Sequence, residues 1–323
     1  MLKEQNRRAF VVAAACVASL AFCSGAGAAT QLTLKLDKGK TYYERLAIDR
    51  RITQSAMGIE QVTDEAIGVG RKLNVLDVDA EGNMQIQCTY IWSRFKQSGP
   101  MGIVDYDSSL ETVVPGGAEG FAALMGESYT IRLSPRGAVL DVNGVQELAK
   151  DVRKKVPEEL DISSAVSPVA FLLSEDGVQE TTESFLTVRP DQPVDQGVSW
   201  EKRTRTVQGA PMIVQSKWTL KKLWMGVATI TSTSSIKSDP AAPPLEVQGT
   251  RMKIDLSGTA EGTTEMDETT GLIKTASTQS LLKGQIGIAT SPDGPFDTMT
   301  IPITFETTTT LEMSDRKLDM SSR

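Results

Sequence analysis

The residues on which much enzyme chemistry depends are scarce in this sequence. The chain of 323 residues contains no histidine and only three cysteines. Ser-His-Asp and Cys-His catalytic arrangements need an imidazole base, and most transition-metal sites use imidazole ligands. We therefore expect a protein that is not an enzyme and that uses no cofactor or metal.

One acidic segment has the spacing of a calcium-binding loop. Asp77, Asp79 and Glu81 alternate, and Gly82 stands at the sixth position of the pattern. The twelfth position should supply a bidentate glutamate, but here it is Cys88. The segment also separates two alternating apolar runs, which favours a β-hairpin turn over a metal site.

Aromatic side chains are the remaining candidates for a functional site. Tyr42, Trp92, Trp200 and Trp218 lie in alternating segments and could line an apolar ligand cavity. The competing interpretation is ordinary packing in the core and on sheet faces. Cys88 has no adjacent lysine or arginine that would activate a thiol, so we expect it to be a buried core residue.

The elements that must position these residues are mainly strands. Met84, Ile86, Cys88, Tyr90 and Trp92 occupy alternate positions, which predicts a half-buried strand with these five side chains on one face. The same period recurs in two other segments, Tyr42–Ile52 and Met299–Phe305.

Helical signals are confined to the middle of the chain. Apolar residues at helical spacing predict a helix from Val145 to Val156, with Asn143 as its cap. A second short helix is expected from Pro168 to Glu175, ending at Gly177. A third short helix is expected over Ala118–Met125.

A weak internal repeat divides the chain into two halves. The segment from Asp37 to Arg45 resembles the segment from Asp195 to Arg203, because each carries a glycine, a hydroxyl residue and an aromatic residue in the same order. This predicts four parts: a signal peptide (1–29), a first β-rich half (30–142), a helical connector (143–193) and a second β-rich half (194–323). A chance match is the alternative. The expected fold class is therefore α+β and β-rich, with long curved antiparallel sheets around a few central helices.

The first 29 residues have the layout of a secretory signal peptide. Three basic residues precede an apolar run from Ala9 to Phe22, and small residues follow up to Ala29. Arg7 and Arg8 leave open whether export is twin-arginine or general secretory. We therefore expect an extracytoplasmic location, periplasmic or secreted.

Five motifs follow one another along the chain: Gly39-x-Thr41-Tyr42, Leu76-Asp77-Val78-Asp79-x-x-Gly82, Gly99-Pro100-Met101-Gly102, Gly120-Phe121-x-x-Leu124 and Ser134-Pro135-x-Gly137-x-Val139. Together they resemble an uncharacterised family of secreted bacterial β-rich proteins, a domain of unknown function. The likeness spans nearly the whole chain after residue 29 and implies export and a β-rich fold, with no activity attached.

These features predict a non-catalytic extracytoplasmic protein that binds an apolar or amphipathic ligand. The alternative is a structural or protein-interaction component of the cell envelope. A net charge of -7 argues against nucleic acid as a partner. No apolar stretch after the signal peptide is long enough to span a membrane. The expected partner is thus a lipophilic ligand or an envelope protein.

Overall fold

The structure of the protein is a computed structural model that describes most residues from 29 onward, with short gaps. The described residues are 29–56, 58–100, 102–110, 113–160, 162, 167–206, 210–247, 249–289, 296 and 299–320. The predicted signal peptide, apart from Ala29, lies outside them.

Thirteen strands form one sheet in the described part of the chain. Most strands are much longer than the five or six residues of an average strand. In chain order they are β1 (Thr41–Ala56), β2 (Ile59–Val78), β3 (Met84–Gly99), β4 (Gly102–Asp107), β5 (Ser128–Leu133), β6 (Val139–Asn143), β7 (Ser199–Arg205), β8 (Met212–Trp224), β9 (Val227–Ser238), β10 (Leu245–Val247), β11 (Thr250–Asp267), β12 (Ile273–Ile288) and β13 (Met299–Ser314).

The sheet is antiparallel, curved and unclosed. Its order is β6-β5-β3-β2-β1-β13-β12-β11-β9-β8-β7, with β4 paired to β3 and β10 paired to β11. The pairing of β1 with β13 joins the first and second halves of the chain in one sheet. At the β7 edge, Glu201, Lys202, Arg203 and Arg205 place charges that discourage pairing with another chain.

Three helices cover one end of one face, which we call the inner face. They are α1 (Glu119–Ala123), α2 (Val145–Lys155) and α3 (Glu175–Leu186). Buried residues of the helices and of strands from both halves belong to one cluster, the proximal core. The predicted fold class, a β-rich α+β protein with long curved antiparallel strands and few helices, is confirmed.

The helix predicted from Val145 to Val156 is confirmed as α2, and the one expected over Ala118–Met125 is present as the shorter α1. The helix predicted from Pro168 to Glu175 was wrong. Residues 168–175 form only a short 3₁₀ turn at Ala170–Leu172, and α3 starts at Glu175, where the predicted helix was to end. The Ser174 hydroxyl caps α3 by accepting a hydrogen bond from the Gly177 amide at 3.1 Å. A Cβ on Gly177 would overlap the Phe171 carbonyl, so this glycine permits a close approach instead of ending a helix. Helix α2 is preceded by Gly144, and no side chain caps it.

A β-bulge changes the face to which Trp92 belongs. The pairing of β2 with β3 shifts between Gly70 and Arg71, so that Arg71 is opposite Tyr90 and Gly70 is opposite Trp92. One extra residue on β3 inverts the alternation beyond it. Tyr90 lies in the proximal core, whereas Trp92 lies on the opposite, outer face. The expectation that Trp92 shares a face with Tyr90 was therefore wrong.

The two glycine turns of the predicted repeat have similar local structure. Gly39 has a φ of 81° and Gly197 a φ of 90°, a left-handed conformation that glycine adopts without a steric penalty. Tyr42 and Trp200 follow in β1 and β7 and both pack on the proximal core. Duplication of the two halves, and the division into parts built on it, stays a prediction.

The described helices are short. None of them combines the length and the apolar composition that a membrane crossing requires.

Candidate functional site

A small cavity lies between the helices and the sheet. The cavity there has a volume of about 30 Å³ and is lined by residues that include Glu44, Arg71, Cys88 and Thr182. A drug-sized ligand needs several hundred Å³. This interior can therefore hold one or two water molecules, but no ligand of that size.

A buried ion pair borders this cavity. The Arg71 guanidinium donates from Nε to Glu44 Oε1 at 2.8 Å, and its other nitrogens contact Glu44 and the Tyr129 hydroxyl. Burial alone would lower the pKa of Arg71, but Glu44 and Tyr129 together raise it well above its usual value. Arg71 thus remains charged inside the core, held by a carboxylate and a phenol.

Cys88 lies beside this pair on the apolar face of β3. Its exposed fraction is 1%, and burial raises the pKa of its thiol to about 12, although nearby Arg71 acts in the opposite direction. A thiol with this pKa is protonated at neutral pH and is a poor nucleophile. The geometry therefore agrees with the expected core role.

We expect Cys88→Ser to lower the free energy of unfolding by about 1–3 kcal/mol, because a hydroxyl is costlier to bury than a thiol. Chemical denaturation followed by circular dichroism measures the loss. Rapid labelling of the native wild-type protein by a thiol reagent would contradict the burial on which this expectation rests.

The structure brings three of the four candidate aromatic residues into the proximal core. Trp200 and Trp218 are opposite each other in the β7–β8 pairing, and Tyr42 belongs to the same core. The indole nitrogen of Trp200 donates to the Val188 carbonyl at 3.0 Å. Trp92 lies on the outer face, where its indole nitrogen donates to Asp107 at 2.9 Å. None of these four aromatic residues lines the small cavity between the helices and the sheet. Their role as ligand-lining residues stays a prediction.

A second apolar cluster, the distal cluster, occupies the inner face beyond the helices. Met212, Leu256 and Ile303 form its buried centre. Among the described residues it contains no helical side chain, so it is formed without the helical layer that covers the proximal core. The half-buried members are Ile52, Ala210, Val214, Ile236, Ile254, Leu282, Ile286 and Phe305.

A row of small and polar side chains separates the distal cluster from the proximal core. We call it the polar row; cross-strand pairing places its members side by side on the inner face. The Ser216 and Ser234 hydroxyls are 2.7 Å apart, and Arg50 Nε donates to Glu65 at 3.1 Å. The row runs through Ser216, Ser234, Ala260, Ser280, Thr307, Arg50 and Glu65.

The outer face carries a wide polar groove. Its volume is about 1070 Å³, and it crosses the middle of strands β11, β12, β13, β1, β2 and β3. Charged side chains of both signs line it, among them Asp49, Lys283 and Glu306. Leu281 is the large apolar side chain in this lining, with an exposed fraction of 41%.

The acidic segment that resembles a calcium loop is the turn between β2 and β3. The Asp79 carboxylate accepts hydrogen bonds from the Asn83 amide at 2.8 Å and from the Asn83 side chain at 2.9 Å. It also pairs with Arg132 at 2.6 Å. Bonds from Asn83 and Arg132 lower the pKa of Asp79 to about 2. The carboxylate is thus engaged by the hairpin turn that the sequence favours.

The distal cluster and the polar row were not recognised in the sequence as a site. A partial signal was present, because the alternation of Met299, Ile301, Ile303 and Phe305 marks one of the contributing strands. Which other strands adjoin it depends on the pairing of β13 with β1 and β12, which local patterns do not specify.

Comparison with known proteins finds several solved structures that align with the chain and one family model that matches it. A search of curated proteins finds no match. A solved structure described as "Lipid-protein interactions in lipovitellin" aligns with 12% identity and a TM-score of 0.49. The alignment covers 89% of this chain and 27% of that chain, and a likeness of this degree carries no argument. The profile of a family of unknown function (DUF6263) matches residues 81–273, more than half of the sequence. In agreement with the uncharacterised family that its motifs resemble, the chain belongs to this family of unknown function.

Proposed function

We propose that this protein is a non-catalytic extracytoplasmic binding protein that takes up an amphipathic ligand on the inner face of its sheet. The observation that carries the proposal is the distal cluster. Half-buried side chains such as Ile286 and Phe305 lie on adjacent strands outside the helical layer. Contiguous apolar side chains on a curved sheet are a favourable surface for an apolar chain.

The polar row supports an amphipathic ligand over a wholly apolar one. It borders the distal cluster on the same face, and the half-buried Ser280 and Thr307 hydroxyls are available for hydrogen bonds with a polar head group. An apolar chain would then contact Leu282 and Phe305, which follow or precede these residues by two positions.

The proposed location differs from the cavity that the sequence suggests. The space under the helices is too small for a lipid chain, since its volume is about 30 Å³. A ligand on the distal cluster needs no displacement of α1, α2 or α3. The extracytoplasmic location in this proposal rests on the signal-peptide pattern of residues 1–29, and the lack of catalysis rests on the absence of histidine.

We expect Phe305→Ser to weaken the binding of a fluorescent long-chain fatty acid by roughly tenfold or more, because a large apolar contact is lost. Leu281→Ser is the matched control, since Leu281 lies on the neighbouring strand but on the outer face. Fluorescence titration measures both affinities, and thermal melting verifies that both variants are folded. Equal binding by the wild type and both variants, or no binding by any, would refute the proposed site.

The second candidate function is that of a structural or protein-interaction component of the cell envelope. Two observations favour it: the cavity under the helices is small, and the polar groove is far larger than this cavity. Native mass spectrometry of the purified protein separates the candidates. A co-purifying amphiphile supports the first function, and an empty protein that also fails to bind the fatty acid supports the second.

A further inference from the structure

Two glycines on β2 open a slot in the outer face of the sheet. Gly68 and Gly70 point outward at successive positions of the same face, on either side of Val69 in the proximal core. The indole of Trp92 lies over Gly68, so closely that a Cβ there would overlap the ring. A Cβ on Gly70 would lie 2.8 Å from Met320 Sδ and 3.1 Å from Trp92 Cβ. Trp92 therefore covers Gly68 and borders the space over Gly70, and Met320 from the segment after β13 fills that space.

The segment after β13 turns back across the sheet to reach the slot. Residues 315–320 have no strand partners of their own in the described chain. Leu318 and Met320 are half-buried, whereas Lys317 and Asp319 between them are exposed. Over residues 317–320, every second side chain therefore lies against the sheet, as it does in an extended segment.

Arg45 holds the backbone of this segment. Its guanidinium donates to the Asp319 carbonyl oxygen at 3.0 Å while it pairs with the Glu312 carboxylate at 3.0 Å. In the sheet, Arg45 is opposite Gly70 on one side and Glu312 on the other. The carboxylate thus orients the guanidinium toward a main-chain carbonyl next to the slot.

Trp92 forms a fixed wall of the slot. Its exposed fraction is 5%, and its indole nitrogen is anchored by Asp107 at 2.9 Å. Methionine is unbranched and flexible, so its side chain suits the narrow space over Gly70 beside Trp92. Arg45 thus binds the main chain of the segment, and the slot beside Trp92 binds a side chain. Peptide recognition commonly combines these two kinds of contact.

We propose that the slot formed by Gly68, Gly70, Trp92 and Arg45 is a recognition site for an extended peptide segment with an unbranched apolar side chain. Residues 315–320 occupy it as an intramolecular ligand. The slot adjoins the polar groove, because Ala66, which lines the groove, precedes Gly68 by two residues on the same face. A second peptide that enters the slot must displace Met320. This inference does not depend on ligand binding at the distal cluster.

The test uses the full chain with Met320→Asp and a synthetic peptide of residues 314–323. A charged aspartate is disfavoured at this half-buried position against the sheet, so we expect the segment to be released and the slot to open. We expect the peptide to bind Met320→Asp roughly tenfold or more tightly than the wild type, whose slot is filled. Isothermal titration calorimetry measures the affinities. The NMR signal of the Trp92 indole NH, assigned with Trp92→Phe, reports on the slot itself.

Three controls make the result specific. A peptide with aspartate in place of methionine is expected to bind neither protein. Met225→Asp changes a methionine with an exposed fraction of 80% on a distant hairpin and is expected to behave like the wild type. Gly70→Leu fills the slot and is expected to abolish peptide binding, with Gly70→Ala as a milder variant should the leucine variant fail to fold.

Two results would overturn the proposal. One is an unchanged Trp92 indole signal in Met320→Asp, which would mean that the segment does not occupy the slot in solution. The other is a peptide affinity of Met320→Asp that equals that of the wild type, or that persists in the glycine variants.

Discussion

Glu44→Gln is expected to lower the free energy of unfolding by about 3–5 kcal/mol, because it leaves the charge of Arg71 buried without its counterion. The side chain of Arg71 is only 6% exposed and that of Glu44 only 10%. The Tyr129 hydroxyl remains as a partner but carries no compensating charge at neutral pH, since burial raises its pKa well above the usual value. Urea denaturation followed by circular dichroism measures the loss.

A double variant distinguishes the free-energy cost of an uncompensated buried charge from the cost of lost packing. Glu44→Leu together with Arg71→Met removes both charges, and we expect it to be more stable than Glu44→Gln. Asp77→Asn breaks the exposed ion pair with Lys38, and its effect should stay within about 1 kcal/mol. If Glu44→Gln costs no more than this exposed control, the buried pair does not have the proposed role.

Gly284→Val is expected to destabilise the protein at least as much as Glu44→Gln, with a loss of about 4 kcal/mol or more in the free energy of unfolding. Valine normally favours strands over glycine. Here, however, a Cβ on Gly284 would overlap the Asp255 carbonyl oxygen of β11, and backbone atoms cannot rotate away as a flexible side chain can. The two strands would have to separate at the centre of the distal cluster.

Ser280→Val provides the matched control for this glycine. Ser280 lies on the same face of β12, four residues earlier, and already has a Cβ. We expect its substitution to change the free energy of unfolding by less than about 1 kcal/mol. Thermal and chemical denaturation measure both variants. A Gly284→Val protein as stable as Ser280→Val would show that β11 and β12 are not in such close contact.

Much of the fold was predictable because strand alternation is a local pattern. The runs Tyr42–Ile52 and Met299–Phe305 correspond to β1 and β13, and the apolar stripe from Val145 corresponds to α2. Two predictions, the face of Trp92 and the bounds of the helix after Pro168, failed for local structural reasons. One extra residue in β3 moves Trp92 to the outer face, and a close contact at Gly177 shifts α3.

The candidate site was less predictable than the fold. Aromatic residues were predicted to line a ligand site because of their size and amphipathic character. In the structure, Tyr42 and Trp218 lie in the helix-covered core and Trp200 packs against it. The distal cluster consists of Ala210, which precedes β8, and apolar residues of six strands, with Phe305 as its aromatic member. No single one of these strands is unusual in composition.

By itself, the sequence determined that the chain is β-rich, located three of its long strands and helix α2, showed that no histidine is available for chemistry, and pointed by its motifs to the family to which the chain belongs. These properties follow from side-chain period, from residue types and from motifs along the chain, none of which requires a partner strand. Tertiary structure alone decided that β1 pairs with β13, that the polar row lies beside the distal cluster, and that Met320 fills the slot at Gly70. The physical reason is that register, bulges and close backbone approach arise between strands far apart in sequence, so a local pattern does not contain them.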